Sequence, residues 1–255
     1  MTGTVRQTNV DPDRPQNAAP RPFTDFLAAP SLVLLGDPGA GKTHVFKEAA
    51  AAERGRFLKA RTFLAAPAPM LTGQVLFIDG LDEKRAGRGD QDTIDALVTK
   101  LFEVNPAKVR ISCRVADWLG ESDLAALQPY FEQHGETPVL LLQNLSHREQ
   151  VAVLIAQGAT DAEAHVFLTE ATERGLDDFL GNPQNLIMLW RAVKAGINWP
   201  ATRKALFEVS TKLLLQEFDQ ERARRGSGSY SAADSGRSRA PCVPRGLSAM
   251  LMPSA

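Results

Sequence analysis

The stretch from Gly36 to Thr43 has the clearest chemical potential in the chain, because it reads GDPGAGKT and matches the pattern G-x-x-x-x-G-K-[ST]. Glycines let the backbone wrap around phosphates without a Cβ clash, and the N-terminus of the following helix adds its positive dipole. We expect Lys42 to reach the β- and γ-phosphates of a nucleotide and the Thr43 hydroxyl to ligate Mg²⁺. The predicted phosphate loop comprises Gly36, Asp37, Pro38, Gly39, Ala40, Gly41, Lys42 and Thr43. The pattern predicts binding of Mg²⁺ and a nucleoside triphosphate, ATP in our expectation; a glycine-rich turn without a ligand is the alternative.

Acidic residues follow another apolar strand. The strand predicted over 74–78 ends at Asp79, and Asp82 and Glu83 come shortly after it. Ligands of α/β sheets bind at the carboxyl ends of the strands, so we expect these carboxylates beside the phosphate loop. Asp79 is expected to hold Mg²⁺, usually through water, and Asp82, or Glu83 as second choice, to polarise the water that attacks the γ-phosphate. A solvated acidic turn is the alternative, since Asp-Gly is common in turns.

The elements that must position these residues alternate between apolar strands and helices, which is typical of an α/β fold. Continuously apolar strands indicate a parallel sheet covered on both faces. We predict strands over 31–35, 56–60, 74–78, 109–113 and 139–142, and helices over 42–53, 90–105 and 118–130. The predicted fold class is therefore a P-loop NTPase parallel sheet layered with helices.

Beyond residue 143 the pattern becomes purely helical. Capping boxes at Ser146-x-x-Glu149 and Thr160-x-x-Glu163 predict helix starts, and Pro183 is typical of the first turn of a further helix. The predicted organisation is a disordered leader over 1–27, a P-loop NTPase core over 28–143, a small all-helical domain over 144–225 whose last helix covers about 201–224, and a disordered low-complexity tail over 226–255.

Composition and charge exclude several classes of partner. The chain has 255 residues, and its formal net charge of -1 provides no overall positive field for nucleic acid or an acidic membrane. Cys113 and Cys242 follow no metal-ligand spacing and are typical of a reducing compartment. No apolar run approaches the ~18 residues of a membrane span. We therefore expect a cytoplasmic protein with no membrane partner, for which nucleic acid is not an expected ligand.

Together the motifs resemble the NACHT branch of the STAND signal-transduction NTPases, relatives of NOD-like receptors, over roughly residues 30–225. The resemblance rests on the phosphate loop and on the sequence FIDGLDE at 77–83. Ordinary AAA-type ATPases place Glu directly after the first Asp of that segment, whereas Gly80 stands there in this chain. The resemblance implies an ATP-binding core followed by a helical domain.

Further matches suggest roles for individual residues. The segment ending in Arg114 resembles the family's sensor, in which an Arg near the γ-phosphate reports the nucleotide state; an Arg paired with a surface carboxylate is the alternative. The sequence Gly181-Asn182-Pro183 is similar to the family's GxP motif, whose proline packs against the adenine. Ordinary helix-start chemistry, with Asn182 as cap and Pro183 in the first turn, is the alternative there.

The chain departs from the family after the helical domain. Relatives normally continue into a winged-helix domain, which supplies a histidine to the nucleotide, and then into a sensor region, whereas low-complexity sequence begins here. We therefore expect a truncated or frame-shifted product of a longer gene. By resemblance, full-length relatives are conformational switches, some in antiviral defence or programmed death, that oligomerise when ATP-bound. ATP, ADP and nucleotide-dependent self-association are the partners that the resemblance implies.

Two functions remain open on the sequence. The first is an ATPase that acts as a signalling or defence switch, and the second is a regulatory module that holds the nucleotide without turnover. A GTPase is disfavoured, because the chain has no Asn-Lys-x-Asp segment and the sequence from Asp79 to Asp82 lacks the glycine of D-x-x-G. A P-loop kinase is disfavoured because no acceptor site is indicated.

Overall fold

A computed structural model describes residues 3–7, 19–81, 90–118, 121–133, 135, 137–196, 199, 204–205 and 208. Its contacts divide the chain into two compact units, Met1–Ser210 and Thr211–Ala255, and every described residue belongs to the first. The predicted helix over 201–224 and the predicted tail over 226–255 therefore lie largely or wholly outside the described residues. The predicted boundary between core and helical domain stays a prediction.

The strands of the first unit form a seven-stranded sheet in the order β2-β1-β7-β3-β6-β5-β4. They are β1 (Thr4–Gln7), β2 (Arg21–Pro22), β3 (Ser31–Leu35), β4 (Arg56–Lys59), β5 (Val75–Asp79), β6 (Lys108–Cys113) and β7 (Val139–Leu142). Strands β3 to β7 are mutually parallel, so their carboxyl ends share one edge of the sheet, while β1 pairs antiparallel with both β7 and β2. The predicted α/β fold class with a parallel sheet is confirmed.

Helices cover both faces of this sheet, and the described elements that follow β7 are all helices. They are α1 (Lys42–Ala52), α2 (Ala60–Ala65), α3 (Asp90–Val104), α4 (Glu121–Phe131), α5 (His147–Ala156), α6 (Asp161–Glu173), α7 (Asp177–Leu180) and α8 (Pro183–Lys194), with short 3-10 helices at Phe23–Phe26 and Ala68–Met70. In the described part of the chain, no helix is both long and apolar enough to cross a lipid bilayer.

The alternation of side chains along β3 separates two apolar clusters, one on each face of the sheet. Val33 and Leu35 belong to the cluster that includes residues of α2, α3 and α4. Leu32 and Leu34 belong to the cluster that includes Phe46 of α1. Because β3 is buried along its whole length, it fixes the start of the phosphate loop within a rigid sheet.

The prediction of a disordered leader over 1–27 is wrong for the parts of it that the structure describes. Val5 in β1 is fully buried and pairs with Leu142 of β7. Phe23 is 1% exposed and packs on Phe46 with ring centroids 6.0 Å apart. Pairing with the edge of the sheet and burial of these two apolar side chains offset the ordering entropy of this polar segment.

The helices α5 to α8 enclose their own apolar cluster, which includes Leu154, Phe167, Leu186 and Trp190. Both predicted capping boxes are present, since the side chains of Ser146 and Thr160 accept from the backbone of the third helical residue. Pro183 occupies the first turn of α8, as predicted. We call the helices α5 to α8 the helical bundle.

Candidate functional site

The phosphate loop joins the end of β3 to the start of α1. Gly39 and Gly41 have φ angles of 77° and 98°, a left-handed conformation that favours glycine, and Gly41 is the N-cap of α1. A Cβ atom on Gly39 would also lie 2.7 Å from Cβ of Gln184. Both the backbone conformation and the close approach of the bundle therefore require glycine at position 39.

The positive side chain of the loop lies across its own backbone. Lys42 Nζ donates to the carbonyl oxygens of Gly36 at 2.6 Å and Asp37 at 3.1 Å. The Asp37 carbonyl also accepts from the Ala40 N–H at 3.1 Å, which closes a tight turn. An open cavity of about 370 Å³ follows the loop and is lined by Gly39, Ala40, Gly41, Lys42, Thr43, His44 and Lys47. The predicted phosphate-binding residues are thus brought together at the carboxyl edge of the sheet.

Asp79, at the end of β5, is the buried centre of the site, with 2% of its surface exposed. Its Oδ2 accepts a hydrogen bond from Thr43 Oγ1 at 2.7 Å and lies 2.9 Å from Lys59 Nζ. Its Oδ1 accepts from Ser112 Oγ at 2.6 Å, and Ser112 in turn accepts from the Gly80 N–H at 3.1 Å. The structure therefore joins the predicted metal residues Thr43 and Asp79 directly.

These contacts decide the charge of Asp79. Burial raises the pKa of the carboxyl group, but the hydrogen bonds from Ser112, Lys59 and Thr43, together with the positive charge of Lys59, outweigh burial and leave the pKa below its ordinary value. Asp79 is therefore ionised at neutral pH. A buried, ionised carboxylate beside a phosphate loop is the kind of group that can hold a cation.

Lys59 and Ser112 also belong to the site, although no sequence pattern indicated them. Lys59 ends β4 and is paired in register with Asp79 on β5. Ser112 lies near the end of β6, the strand between β3 and β5, in register with Leu34. Both residues stand at carboxyl ends of strands, but their proximity to Asp79 depends on strand order and register, which single-strand patterns do not reveal.

Of the three residues predicted to act in hydrolysis, the structure describes Arg114 alone. Arg114 directly follows β6 at the same edge of the sheet, where its residue is exposed and its carbonyl accepts from the Asp117 N–H at 3.3 Å. Its sensor role stays a prediction. Asp82 and Glu83 lie outside the described residues, so their predicted role in polarising water also stays a prediction.

The helical bundle contacts the phosphate loop through the start of α8. Asn182 caps this helix by accepting from the backbone N–H groups of Gln184 and Asn185 at 3.0 and 3.3 Å. Its Nδ2 donates to the Pro38 carbonyl at 3.0 Å, and the Gln184 N–H donates to the Gly39 carbonyl at 3.3 Å. The helix cap therefore also binds the carbonyl side of the loop, away from the N–H groups that would face phosphates.

A cavity of about 430 Å³ extends from the loop toward the bundle. Pro183 and Ile187 of α8 and Val153 of α5 supply apolar walls on the bundle side. Its lining also includes Gly3, Thr4, Ala40, Gly41, His44, Val45, Glu48, Leu142, Gln143, Leu145, Glu149, Ala152, Ala156 and Gln157. The cavity has the size and the mainly apolar walls of a small-molecule site. Pro183 thus lines a cavity beside the phosphate loop, and its role toward adenine stays a prediction.

Strand β1 closes one side of this cavity, which the prediction of a disordered leader did not foresee. The Thr4 carbonyl accepts from the Gln143 N–H at 2.9 Å, and Thr4 Oγ1 donates to Glu149 Oε1 at 3.5 Å. Glu149 belongs to the capping box that starts α5. The N-terminal strand thus joins the sheet to the bundle at the mouth of the cavity.

The donor set at Thr43 and Asp79 fits Mg²⁺. A hydroxyl and an ionised carboxylate are hard oxygen ligands, and Mg²⁺ is usually bound by one or two such groups together with water and phosphate oxygens. The two side chains already lie within hydrogen-bond distance, at the base of the loop. Among the described residues, no cluster of three or more His, Cys, Asp or Glu side chains forms a separate metal site.

Comparison with known proteins identifies no family for this chain. No family model matches it, and no curated protein matches it. Among solved structures, it is similar to a variant of RuvB from Thermotoga maritima at 16% sequence identity and a TM-score of 0.39. That match covers 72% of this chain and 61% of the RuvB chain. A similarity of this degree assigns no activity, and the NACHT resemblance stays a prediction.

Proposed function

We propose that this chain binds ATP with Mg²⁺ and hydrolyses it as a conformational switch of the NACHT type. The observation that supports this proposal is the position of the phosphate loop between Asp79 and the helical bundle. The phosphate loop contacts the buried Asp79 through Thr43 on one side and the start of α8 through Pro38 and Gly39 on the other. A cavity large enough for a nucleoside lies between loop and bundle.

Phosphate binding falls to the loop and to Lys42. The N–H groups of the loop and the N-terminus of α1 favour negative charge. Lys42 now donates to the carbonyls of Gly36 and Asp37, and its side chain also lines the cavity that follows the loop. In the proposed complex it exchanges these carbonyls for phosphate oxygens, which form stronger charge-assisted hydrogen bonds.

Thr43 and Asp79 are the residues that would hold Mg²⁺. When bound, the ion neutralises phosphate charge and favours transfer of the γ-phosphoryl group. The chain itself orients the ligands, because Ser112 holds Oδ1 of Asp79 while Thr43 holds Oδ2. This arrangement keeps the carboxylate plane fixed and leaves little freedom for Asp79 to turn away.

The proposed base site is the cavity beside Pro183. A flat, apolar adenine ring would lose water contacts against Pro183, Ile187 and Val153, which gives a favourable transfer energy. His44 and Glu48, which form an ion pair at 3.3 Å when His44 is protonated, stand at the polar side of the same cavity. We infer a preference for adenine over guanine, because the chain has no guanine-reading segment.

Hydrolysis is assigned to residues beyond β5 and β6. We propose that Asp82, or else Glu83, polarises the attacking water and that Arg114 stabilises charge on the γ-phosphate. Both acidic positions follow Asp79 closely in the chain, and Asp79 itself ends β5 at the carboxyl edge of the sheet.

The switch itself is proposed to act through Asn182 and Pro183. These neighbouring residues bind the loop and line the base cavity, so the bundle senses both ends of a nucleotide through one helix start. Replacement of ATP by ADP would change the loop contacts and bias the bundle position. Nucleotide-dependent self-association is the proposed output, and its measurement is the molecular mass in solution with ATP or ADP.

Single-turnover hydrolysis of labelled ATP tests the proposal. We expect product to form with the purified chain, and Asp82→Asn to slow it by roughly 10²-fold while ATP binding stays nearly intact. Normal hydrolysis by Asp82→Asn together with loss in Glu83→Gln would reassign the role to Glu83.

A nucleotide-holding module without turnover is the second candidate. The Lys59–Asp79 ion pair favours it, because the carboxylate that a metal needs already has a cationic partner. Tight ADP binding with no product from ATP in the same assay would support this candidate over the ATPase.

A further inference from the structure

Lys59 places a positive charge beside Asp79, and the phosphate-loop pattern does not include this residue. It ends β4 and is paired in register with Asp79. Its Nζ lies 2.9 Å from Asp79 Oδ2, and its side chain is 35% exposed whereas that of Asp79 is 3% exposed. The Asp79 end of this ion pair is therefore buried in the sheet, whereas the Lys59 side chain is partly exposed.

The oxygen that Lys59 contacts is also the one that faces Thr43. A hydroxyl can donate its hydrogen to Asp79 while its lone pairs face a cation, so the Thr43–Asp79 hydrogen bond is compatible with a bound metal. An ammonium at 2.9 Å from the same carboxylate oxygen opposes a bound metal, because two cations that share one oxygen repel each other. Lys59 and a divalent cation therefore compete for this position.

We propose that Lys59 is a resident counter-ion that competes with Mg²⁺ for Asp79, so that metal loading requires the Lys59 side chain to withdraw toward solvent. The inference rests on the proposed nucleotide site and deepens it. A buried carboxylate needs a compensating charge, and Lys59 supplies it before the metal arrives. Its flexible four-carbon stem and partial exposure give the ammonium a route outward.

This competition sets how strongly Mg²⁺ and nucleotide assist each other. With Lys59 in place, the phosphates of a metal-free nucleotide approach a neutralised Asp79 and meet little repulsion. Mg²⁺ then gains less binding free energy at Asp79, because it must first displace Lys59. Removal of the Lys59 charge should weaken metal-free nucleotide binding and strengthen metal-dependent binding, which raises the coupling between the two ligands.

The test is the dissociation constant of a non-hydrolysable ATP analogue, measured by calorimetry in EDTA and in saturating Mg²⁺. The ratio of the dissociation constant in EDTA to that in Mg²⁺ should be roughly tenfold or more higher in Lys59→Met and Lys59→Gln than in wild type. Lys59→Gln keeps a hydrogen-bond donor toward Asp79 and guards against misfolding of the apolar variant. Lys59→Arg keeps the charge, and Lys100→Met removes a lysine that pairs with Glu103 on α3; both should keep the wild-type ratio within about twofold.

A second readout separates this inference from the proposed function. Each protein is melted without nucleotide, once in Mg²⁺ and once in sodium at equal ionic strength. The increase in melting temperature caused by Mg²⁺ should be larger in Lys59→Met and Lys59→Gln than in wild type. If no protein binds nucleotide but the variants show this gain, the inference holds and the proposed function fails. If nucleotide binds but neither the ratio nor the melting temperature responds to loss of the Lys59 charge, the competition between Lys59 and Mg²⁺ is overturned while the proposed function stands.

Discussion

The two ends of the parallel sheet each bury a charge, but they neutralise it by different means. At the amino end, Arg110 of β6 is fully buried and donates to the carbonyls of Leu27 at 2.7 Å, Pro30 at 3.0 Å and Val109 at 3.1 Å, with Glu53 at 3.8 Å. Burial lowers the pKa of Arg110 to about 10, and the charge of Glu53 partly opposes this. At the carboxyl end, three side chains hold Asp79.

This difference in partners indicates that the amino end of the sheet is scaffold and the carboxyl end is the ligand site. Backbone carbonyls cannot leave Arg110 unless the chain unfolds locally, so the amino end is a permanent joint between β6 and the segment before β3. The partners of Asp79 are side chains that can rotate, and Thr43 and Lys59 both contact its Oδ2. Exchangeable partners are what a ligand site needs, and this end is also where ligands of α/β sheets bind.

The largest effect on stability is expected at the amino end. Arg110→Met removes the buried charge and its hydrogen bonds to three backbone carbonyls, and Glu53 keeps Lys108 as an ion-pair partner. The loss should lower the free energy of unfolding by about 3–5 kcal/mol. Lys108→Met is the matched control, because Lys108 binds the same Leu27 carbonyl and Glu53 but its side chain is 30% exposed. It should cost about 1 kcal/mol or less. Urea unfolding measures both, and equal losses would contradict the scaffold role.

Asp79→Asn should cost less stability but change the function of the carboxyl end. The lost charge-assisted contacts are worth on the order of 2 kcal/mol. Binding of Mg-ATP should weaken more than binding of metal-free ATP, because the lost charge is the one that compensates the ion. Arg110→Met should leave that difference unchanged. Calorimetry with and without EDTA measures it, and an equal loss in both conditions would remove Asp79 from the metal site.

The stability that Asp79 contributes should depend on pH. Because the folded-state pKa lies below the ordinary value, this stability is present above about pH 3.9 and is lost as the pH falls through the folded-state pKa. The difference in unfolding free energy between wild type and Asp79→Asn should therefore be largest near neutral pH and shrink in acid. A difference that grows on acidification would contradict the ionised state.

The smallest expected effect concerns the link between site and bundle. Asn182→Ala should cost about 1 kcal/mol, the usual value of a lost helix cap. Thr160→Ala removes another cap in the bundle, at the start of α6, and should cost a similar amount. Only Asn182 binds the Pro38 carbonyl, so only its variant should change ATP affinity. Equal ATP affinities in the two variants would break the proposed link.

Local patterns predicted the strands and caps well, and non-local contacts account for the misses. The bounds of β3 and β7 agree with prediction because both strands are short apolar runs between turn residues. Strand β1 was missed because Val5 is its single apolar residue and its stability comes from pairing with β7. The strand predicted over 56–60 instead ends at Lys59, and α2 begins at Ala60.

The candidate site divides in the same way. The loop motif predicted Lys42 and Thr43, and the strand-end rule predicted that Asp79 lies beside them. Lys59 and Ser112 reach Asp79 only because β4 and β6 flank β5, so no spacing along the chain indicates them. The bond between Asn182 and Pro38 joins residues far apart in sequence and was equally hidden.

Titration of Mg-ATP into wild type and Lys42→Ala by calorimetry tests whether the phosphate loop binds ATP. We expect binding to wild type, weaker binding of GTP, and a loss of ATP affinity of roughly 100-fold or more in Lys42→Ala, since a charge-assisted contact with phosphate is removed. Lys100→Ala is the control, because Lys100 lies on α3 and its Nζ pairs with Glu103 Oε2 at 2.8 Å. It should keep the affinity within about threefold. Unchanged ATP affinity in Lys42→Ala, or no binding to wild type, would contradict the phosphate-loop assignment.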